Sequence, residues 1–404
     1  MKQQSFDMNF VFVSLQPINA DRDSTSTCLA KELAKTHKVL YVNSPIDRRT
    51  LLFKKNDSFV KARIENIKNK GKKLSQLQEN LWMLQPSTII ESINWIPSTF
   101  IFSKLNWINN TRFAKEIKEA LIELKFDTFI LINDKDIFRS FYLKELLHPE
   151  KYIYLDRDYI IGMNYWKRHG TKLEPELLQK ADAVICNSHD FTRRAKKYNP
   201  NSFYIGNGFD ADQYQHTQEL SIPADLAGIP APRIGYVGAL IALRLDPELM
   251  IKMAEEKPSW SFVLIGWEDE VFKESRLHEL SNVYFLGKKH TKVIPAYIRH
   301  FNVCINPQVV NEITAGNFPL KIVEYLAMGR PVVATATNTM REIFNQHTYL
   351  AGEDDSFVDQ IEKAMQEDSD ILKMERLEFV KQFNWKNVTS VMLHCIEGID
   401  EQKN

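Results

Sequence analysis

One pattern runs through the chain twice: a short run apolar on both faces, a polar turn, then a helical periodicity. In the first half the expected strands are Phe10–Ser14, Val39–Val42, Leu81–Leu84, Thr128–Ile132, Tyr152–Leu155 and Ala183–Asn187. Helical patterns occupy Thr25–Lys35, Thr111–Leu124 and Glu174–Lys180. Strands apolar on both faces and separated by helices belong to parallel sheets covered on both sides. The segment Asn207–Arg233 breaks the rhythm with Gly208, Pro223, Gly228, Pro230 and Pro232, and reads as an interdomain connection. The alternation then restarts with strands at Arg233–Val237, Ser261–Ile265, Val283–Leu286, Val303–Asn306 and Val332–Thr335. Helical patterns follow at Pro247–Glu256, Ile294–His300, Leu320–Met328 and Phe357–Met365. The expectation is an α/β chain of two doubly wound domains. Such sheets bind ligands outside the carboxyl ends of their strands, where strand order reverses, so a cleft between the domains is the expected site.

Length and composition bound the function. A chain of 404 residues suits two or three domains. With 44% hydrophobic and 26% charged residues it is neither a disordered chain nor a fibre. Lysine plus arginine equals aspartate plus glutamate at 52 each, so the basic excess of a general nucleic-acid binder is missing. Cys28, Cys186, Cys304 and Cys395 lie far apart and form no CxxC pair, which fits a reducing, cytoplasmic compartment. No apolar run approaches the length of a membrane span. The stretch Phe10–Leu15 is too short for a leader and reads as a first buried strand.

The charge is unevenly spread. Between Arg48 and Lys73 ten basic residues face only Asp57 and Glu65. Leu51, Leu52, Phe53, Phe59 and Val60 lie among them, and Ile93–Ile108 adds Trp95, Ile96, Phe100, Ile101, Phe102, Leu105 and Trp107. Two readings are open: a surface resting on anionic lipid headgroups, or a solvated basic loop followed by an ordinary buried helix.

Several chemistries are set aside. There is no GxxxxGK[ST], no GxGxxG after the first strand, no HExxH, no zinc-ligand spacing of Cys and His, and no GxSxG. Two Asp-Arg-Asp triplets, Asp21–Asp23 and Asp156–Asp158, have the spacing of a metal–diphosphate site. The same spacing arises by chance in a chain with this many acids.

The most informative stretch is Val303–Thr335, VCINPQVVNEITAGNFPLKIVEYLAMGRPVVAT. A strand ends at Asn306 and Pro307, and a polar loop runs from Gln308 to Asn317. A helix begins near Phe318–Leu320, with Asn317 as its cap and Pro319 in its first turn. Gly329 ends it. Lys321 and Glu324 share a helix face. Lys321 sits in the first turn, where free N–H groups and the dipole already favour an anion. Glu324 is an acceptor suited to ribose hydroxyls. The alternative is a surface Lys/Glu pair on an amphipathic helix.

Phe318, Pro319, Lys321, Glu324, Tyr325, Leu326, Ala327, Gly329, Pro331, Val332 and Val333 resemble the donor-site signature of GT-B glycosyltransferases. The resemblance is to family-4-like enzymes and teichuronic-acid-type transferases of bacterial surface polysaccharide synthesis. Gly235–Asp246 resembles the donor-domain loop in which a glycine turn and a basic residue, here Gly238 and Arg244, meet the diphosphate. Val283–Gly287 resembles the segment near the base, and Ala181–Ser188 with Ile205–Asp210 the approach to the linker. The family-4 signature has two glutamates eight positions apart. Glu324 matches the second, and the first falls on Gly316, with Glu312 out of register. A Pro-x-Lys-x-x-Glu version of the signature fits Pro319, Lys321 and Glu324.

The resemblance implies a GT-B fold of two Rossmann-like domains facing across a cleft. Residues 1–207 would bind the acceptor and residues 208–384 the nucleotide sugar, while 385–404 would form a helix returning to the first domain. It implies transfer of a hexose from a UDP- or GDP-linked sugar to an acceptor hydroxyl, with no cofactor and no metal. Donor contacts fall on Gly238, Arg244, Asn317, Lys321 and Glu324. Arg244, Lys321 and the helix N-terminus would stabilise the leaving diphosphate. An inverting reaction needs a general base. Related transferases carry an aspartate four residues after the strand tyrosine, which places that role on Asp158, ahead of Asp156 and His169. Ser24 and Thr25 either meet the acceptor or cap the helix they open. The acceptor would be a glycan or lipid-linked alcohol at the inner membrane face, with no nucleic acid involved. A UDP-sugar 2-epimerase and a non-catalytic GT-B scaffold are the competing readings. Base, sugar, linkage, stereochemistry and oligomeric state are left open by the sequence.

Overall fold

The computed structural model describes residues 8–20, 23–53, 58–68, 71, 73–210, 214, 220–352 and 356–401. Asp21 of the first Asp-Arg-Asp triplet lies outside the described residues, as do Lys54, Lys55, Asp57, Lys70 and Lys72 of the basic run. The chain divides into two compact units, residues 1–205 with 389–404, and residues 206–388.

Among its described residues the first unit holds ten strands: β1 (Asn9–Ser14), β2 (Lys38–Asn43), β3 (Ile46–Asp47), β4 (Leu74–Gln78), β5 (Leu81–Leu84), β6 (Ile89–Ile90), β7 (Ile130–Asp134), β8 (Lys151–Asp156), β9 (Ala183–Cys186) and β10 (Ser202–Tyr204). Eight of them form one sheet in the order β10-β9-β8-β7-β1-β2-β5-β4, and β3 pairs with β6. All neighbours run parallel except β4 and β5, an antiparallel pair at the edge that the sequence pattern did not anticipate. The register pairs Ser14 with Asn43 on one side and with Asp134 on the other. Strand order therefore reverses between β1 and β7. The core beneath is built from Val11, Val13, Leu40, Val42, Leu131, Tyr152 and Tyr154, all at or near zero exposure. Ser24 caps the helix Thr25–Leu33 in a reciprocal box with Thr27, so its side chain is spent on backbone.

Helix Thr99–Leu124 starts twelve residues before the expected Thr111. Helix Asn164–Lys180 likewise begins ahead of Glu174 and carries Pro175 in its interior. The final helix, Trp385–Glu401, buries Met392, Ile396 and Ile399, and Lys151 donates to the Ile396 carbonyl at 2.9 Å.

The second unit has β11 (Arg233–Val237), β12 (Ser261–Ile265), β13 (Val283–Phe285), β14 (Val303–Asn306), β15 (Val332–Thr335) and β16 (Tyr349–Ala351). Its sheet is parallel throughout, in the order β13-β12-β11-β14-β15-β16. This is the doubly wound order 3-2-1-4-5-6, reversing between β11 and β14. Near its start, Gly208 lies against the Trp385 indole: a Cβ there would come within 2.4 Å of the ring. Phe209 N–H donates to the Phe383 carbonyl at 2.9 Å.

Candidate active site

In the second unit glycines follow the three strands β11, β12 and β13: Gly238, Gly266 and Gly287. At two of them a side chain would also collide with its neighbours. Gly238 has φ +146°, and a Cβ on it would sit 2.9 Å from the Tyr236 hydroxyl and 3.1 Å from Lys321 Nζ. A Cβ on Gly266 would lie 1.8 Å from the Gly238 carbonyl oxygen. The reversal point is thus lined by bare backbone, the arrangement that lets a phosphate approach closely.

Lys321 is brought to this point by the helix Leu320–Ala327. That helix is fixed on its inner side by Tyr325, whose hydroxyl accepts from Val237 N–H at 2.8 Å and donates to the Val237 carbonyl at 3.3 Å. Lys321 Nζ donates to the Tyr236 hydroxyl and lies 4.0 Å from the centre of its ring. Tyr236 is buried, and burial pushes its phenol up, against the opposing effect of the nearby Arg244 charge. Arg244 is exposed on the loop after Gly238. Its carbonyl accepts from Val309 N–H at 3.0 Å, and Asn311 Nδ2 donates to the Leu243 carbonyl at 2.8 Å. These bonds tie the Gly238–Arg244 loop to the loop after β14. Glu324 is half-buried one turn beyond Lys321.

Asn317 does not cap the helix. The cap position is Pro319, which makes no side-chain cap bond. The Asn311–Thr314 turn carries the chain past Asn317 before the helix begins: Asn311 Oδ1 accepts from Ile313 and Thr314 N–H, and Asn317 N–H donates to the Thr314 carbonyl. Asn317 Oδ1 is left buried without a hydrogen-bond partner among the described residues. Of the residues the sequence named, Lys321 lies beside Gly238, Arg244 is near enough for its charge to act on Tyr236, and Glu324 lies one helical turn on. Sequence reasoning missed Tyr236 and Gly266. A glycine directly after a buried strand was the available signal for Gly266. Nothing local marks Tyr236, because its partner is 85 residues away.

The first unit's reversal point is filled by its own side chains. Ser14 Oγ donates to Asp134 Oδ2 at 2.6 Å and lies 3.1 Å from Ser26 Oγ. Arg157 grips Asp134 with two bonds, 2.7 and 3.2 Å, and donates to Asp158 Oδ2 at 2.8 Å. Asp134 is fully buried. Burial works to raise its carboxyl, but the Arg157 guanidinium and the serine hydroxyls hold it below the usual carboxylate range. Asp158 is the outermost member, with 43% of its side chain exposed. It is the accessible carboxylate of the Asp156–Asp158 triplet.

Asp156 and His169 are placed elsewhere. Asp156 is fully buried in a four-charge cluster: Lys135 meets Asp156 and, at 2.6 Å, Glu174, while Arg194 meets Asp156 at 2.7 Å and Glu174 at 3.2 Å. Burial opposes ionisation of Asp156, and Lys135 and Arg194 overcome it. A carboxylate so enclosed cannot reach an acceptor. His169 is buried, stacked on Phe102 at 4.0 Å, and burial pushes its imidazole below the ordinary value. Among the described residues no group of three or more His, Cys, Asp or Glu side chains is arranged to hold a metal ion.

Two Rossmann-like halves, each with a reversal of strand order, define the GT-B glycosyltransferase fold. Sucrose-phosphate synthase of Thermosynechococcus elongatus superposes with a TM-score of 0.65 at 17% identity, over 98% of this chain and 100% of that one. HepE of Anabaena, in complex with UDP, superposes with a TM-score of 0.65 at 14% identity, over 97% and 100%. At these identities the likeness is one of fold. Residues 231–367, the segment holding Gly238, Arg244, Asn317, Lys321 and Glu324, match the family of glycosyl transferases group 1. The teichuronic acid biosynthesis glycosyltransferase TuaH of Bacillus subtilis (strain 168) is 26% identical over 194 residues. That match spans 46% of this chain and 48% of TuaH, about half of each. The second unit therefore carries a group 1 glycosyltransferase domain.

Proposed function

We propose that the chain transfers a hexose from a UDP- or GDP-linked sugar to an acceptor hydroxyl in the synthesis of a bacterial surface glycan. The observation that carries this reading is the meeting of Lys321, Tyr236 and Gly238 at the reversal point of the second sheet. Tyr236 holds the ammonium over a cradle without side chains, where a diphosphate fits. Lys321, Arg244 and the first helical turn offset the charge that builds on the leaving diphosphate, and no metal is needed for that. Glu324 takes the ribose hydroxyls, and Asn317 Oδ1 offers its open acceptor to a donor group of the nucleotide sugar. The residues of 1–207 bind the acceptor, and those of 208–384 bind the donor.

Asp158 acts as the general base in this reading, taking the acceptor proton as the new glycosidic bond forms. Arg157 keeps it in place and Asp134 keeps Arg157 in place. The acceptor is a glycan or a lipid-linked alcohol, and the protein works in the cytoplasm at the inner face of an anionic membrane.

Calorimetry with UDP, GDP and their sugar conjugates, in EDTA, tests the donor site. The expected result is micromolar binding of one nucleotide by the native protein and its loss in Lys321→Ala. Binding that requires added Mg2+ would overturn metal independence. No binding of any nucleotide by folded protein would leave a non-catalytic scaffold as the better reading.

A further inference from the structure

In the first fourteen residues of the helix Thr99–Leu124 only Phe102 turns an apolar side chain into the core, and most of the other apolar side chains face outward. Its inward face carries Asn106, Asn109 and Asn110, each at most 3% exposed. Each is bonded. Asn106 and Asn110 donate to the Phe138 carbonyl at 2.7 and 3.0 Å. Asn109 donates to the Glu91 carbonyl at 3.0 Å and accepts from Glu91 N–H at 2.9 Å. Asn110 Oδ1 accepts from Tyr142 N–H at 2.9 Å. The outward face instead carries Phe100, Ile101, Leu105, Trp107 and Ile108, all exposed. A helix facing water normally has the opposite distribution, so this face is not built for water alone.

The patch continues beyond the helix. Trp95, just before it, is 72% exposed, and Phe100 is 71% exposed. The helix Arg48–Phe53 adds Leu52 and Phe53, the latter 79% exposed. It is fastened to the same region through Glu91 and Ser92: Arg48 pairs with Glu91 at 2.7 Å, and Arg49 N–H donates to Ser92 Oγ at 2.8 Å. Arg112 on the helix Thr99–Leu124 reaches the same Glu91 at 3.4 Å.

Charge selects the occupant. Residues 92–115 contain Lys104, Arg112 and Lys115 and no acid, and Arg48–Phe53 contains two arginines and no acid. Glu91 is spent on Arg48 and Arg112, while Arg49 and Lys104 stay exposed beside the tryptophan and phenylalanine side chains, a set that complements a bilayer surface of anionic headgroups over acyl chains. Long basic side chains keep their charge at the headgroups while their stems lie on the apolar side. We infer that this face of the first unit, formed by the helix Arg48–Phe53, Trp95 and the first half of the helix Thr99–Leu124, docks on an anionic lipid bilayer. Trp95, Phe100 and Phe53 enter the acyl boundary, and Arg49 and Lys104 lie at the headgroups. The inference deepens the membrane reading above by naming the surface, and it does not depend on the donor site.

The full chain, without donor or acceptor, is sedimented with vesicles of phosphatidylcholine alone and of phosphatidylcholine mixed with phosphatidylglycerol. Binding is expected only to the second kind, with a blue shift of tryptophan emission and weakening in high salt. Trp95→Ser with Phe100→Ser should cut the partition constant at least about ten-fold. Arg49→Glu with Lys104→Glu should abolish the preference for phosphatidylglycerol. All four side chains are exposed, so the variants should melt as the native protein does. Three results would overturn the docking surface: no binding to anionic vesicles, undiminished binding by both variants, or a concentration-dependent dimer that the apolar variant disperses. Nucleotide calorimetry on the same samples separates the two readings, since lost vesicle binding with retained nucleotide binding removes the surface and leaves the transferase.

Discussion

The two sheets reverse strand order in the same way and use the reversal for opposite ends. In the first unit Ser14, Asp134 and Arg157 fill the point with side chains that neutralise one another, leaving Asp158 as an accessible carboxylate. In the second, Gly238 and Gly266 empty the point of side chains, and Lys321 is held beside the gap by Tyr236. A filled, self-compensated reversal can aim one group. An emptied, cationic one can receive an anion. The topology is shared, and the residues after the strands decide what it does.

Four experiments break or sharpen that contrast. Asp158→Asn should lower kcat by about 10²–10⁴-fold while donor affinity stays unchanged. Loss of donor binding there would show that the two points are not separable. Asp134→Asn leaves the Arg157 guanidinium without its buried partner and should cost about 3 kcal/mol of stability, read by urea unfolding. A near-native unfolding curve would mean the first point is not built on that pair. Lys321→Ala removes the ammonium proposed to meet the diphosphate and should weaken nucleotide binding by about ten- to a hundred-fold, with little effect on melting temperature. The smallest effect concerns acid. Asp134 has a folded-state pKa below its unfolded value, so its stabilisation is present above about pH 4 and is lost as pH falls through the folded value. The stability gap between native protein and Asp134→Asn should therefore shrink below about pH 4, and a gap independent of pH would exclude ionisation of Asp134 as its source.

Much of this was legible beforehand. β11, β12 and β14 occupy the expected residues, because runs apolar on both faces and bounded by Gly, Pro or Asn leave little choice. Lys321 was named from its first-turn position on a helix, and Gly238 and Arg244 from the resemblance of Gly235–Asp246 to a donor-domain loop. What failed was non-local or inverted. β4, Leu74–Gln78, has one buried residue and lies beside the basic run, so its pattern showed nothing. The start of the helix at Thr99 was hidden because, apart from Phe102, its first inward positions are asparagines while apolar residues lie outward, which obscures the usual period. Asn317 was misread as a cap because the turn at Asn311–Thr314 carries the chain past it. The resemblance put Asp158 ahead of Asp156, but spacing alone did not separate them, and it is the neighbours on other strands and helices that bury Asp156 and leave Asp158 exposed.

The cluster of Lys135, Asp156, Glu174 and Arg194 has a consequence for how this protein can change over generations. Lys135, Asp156 and Glu174 are buried and Arg194 partly so, and removing any one of the four leaves a buried opposite charge short of a partner. A single substitution there is a dead end, while the loss of one cation together with one anion is not. Relatives should therefore keep all four positions or exchange them in opposite-charge pairs, so that selection sees the quartet as one heritable unit.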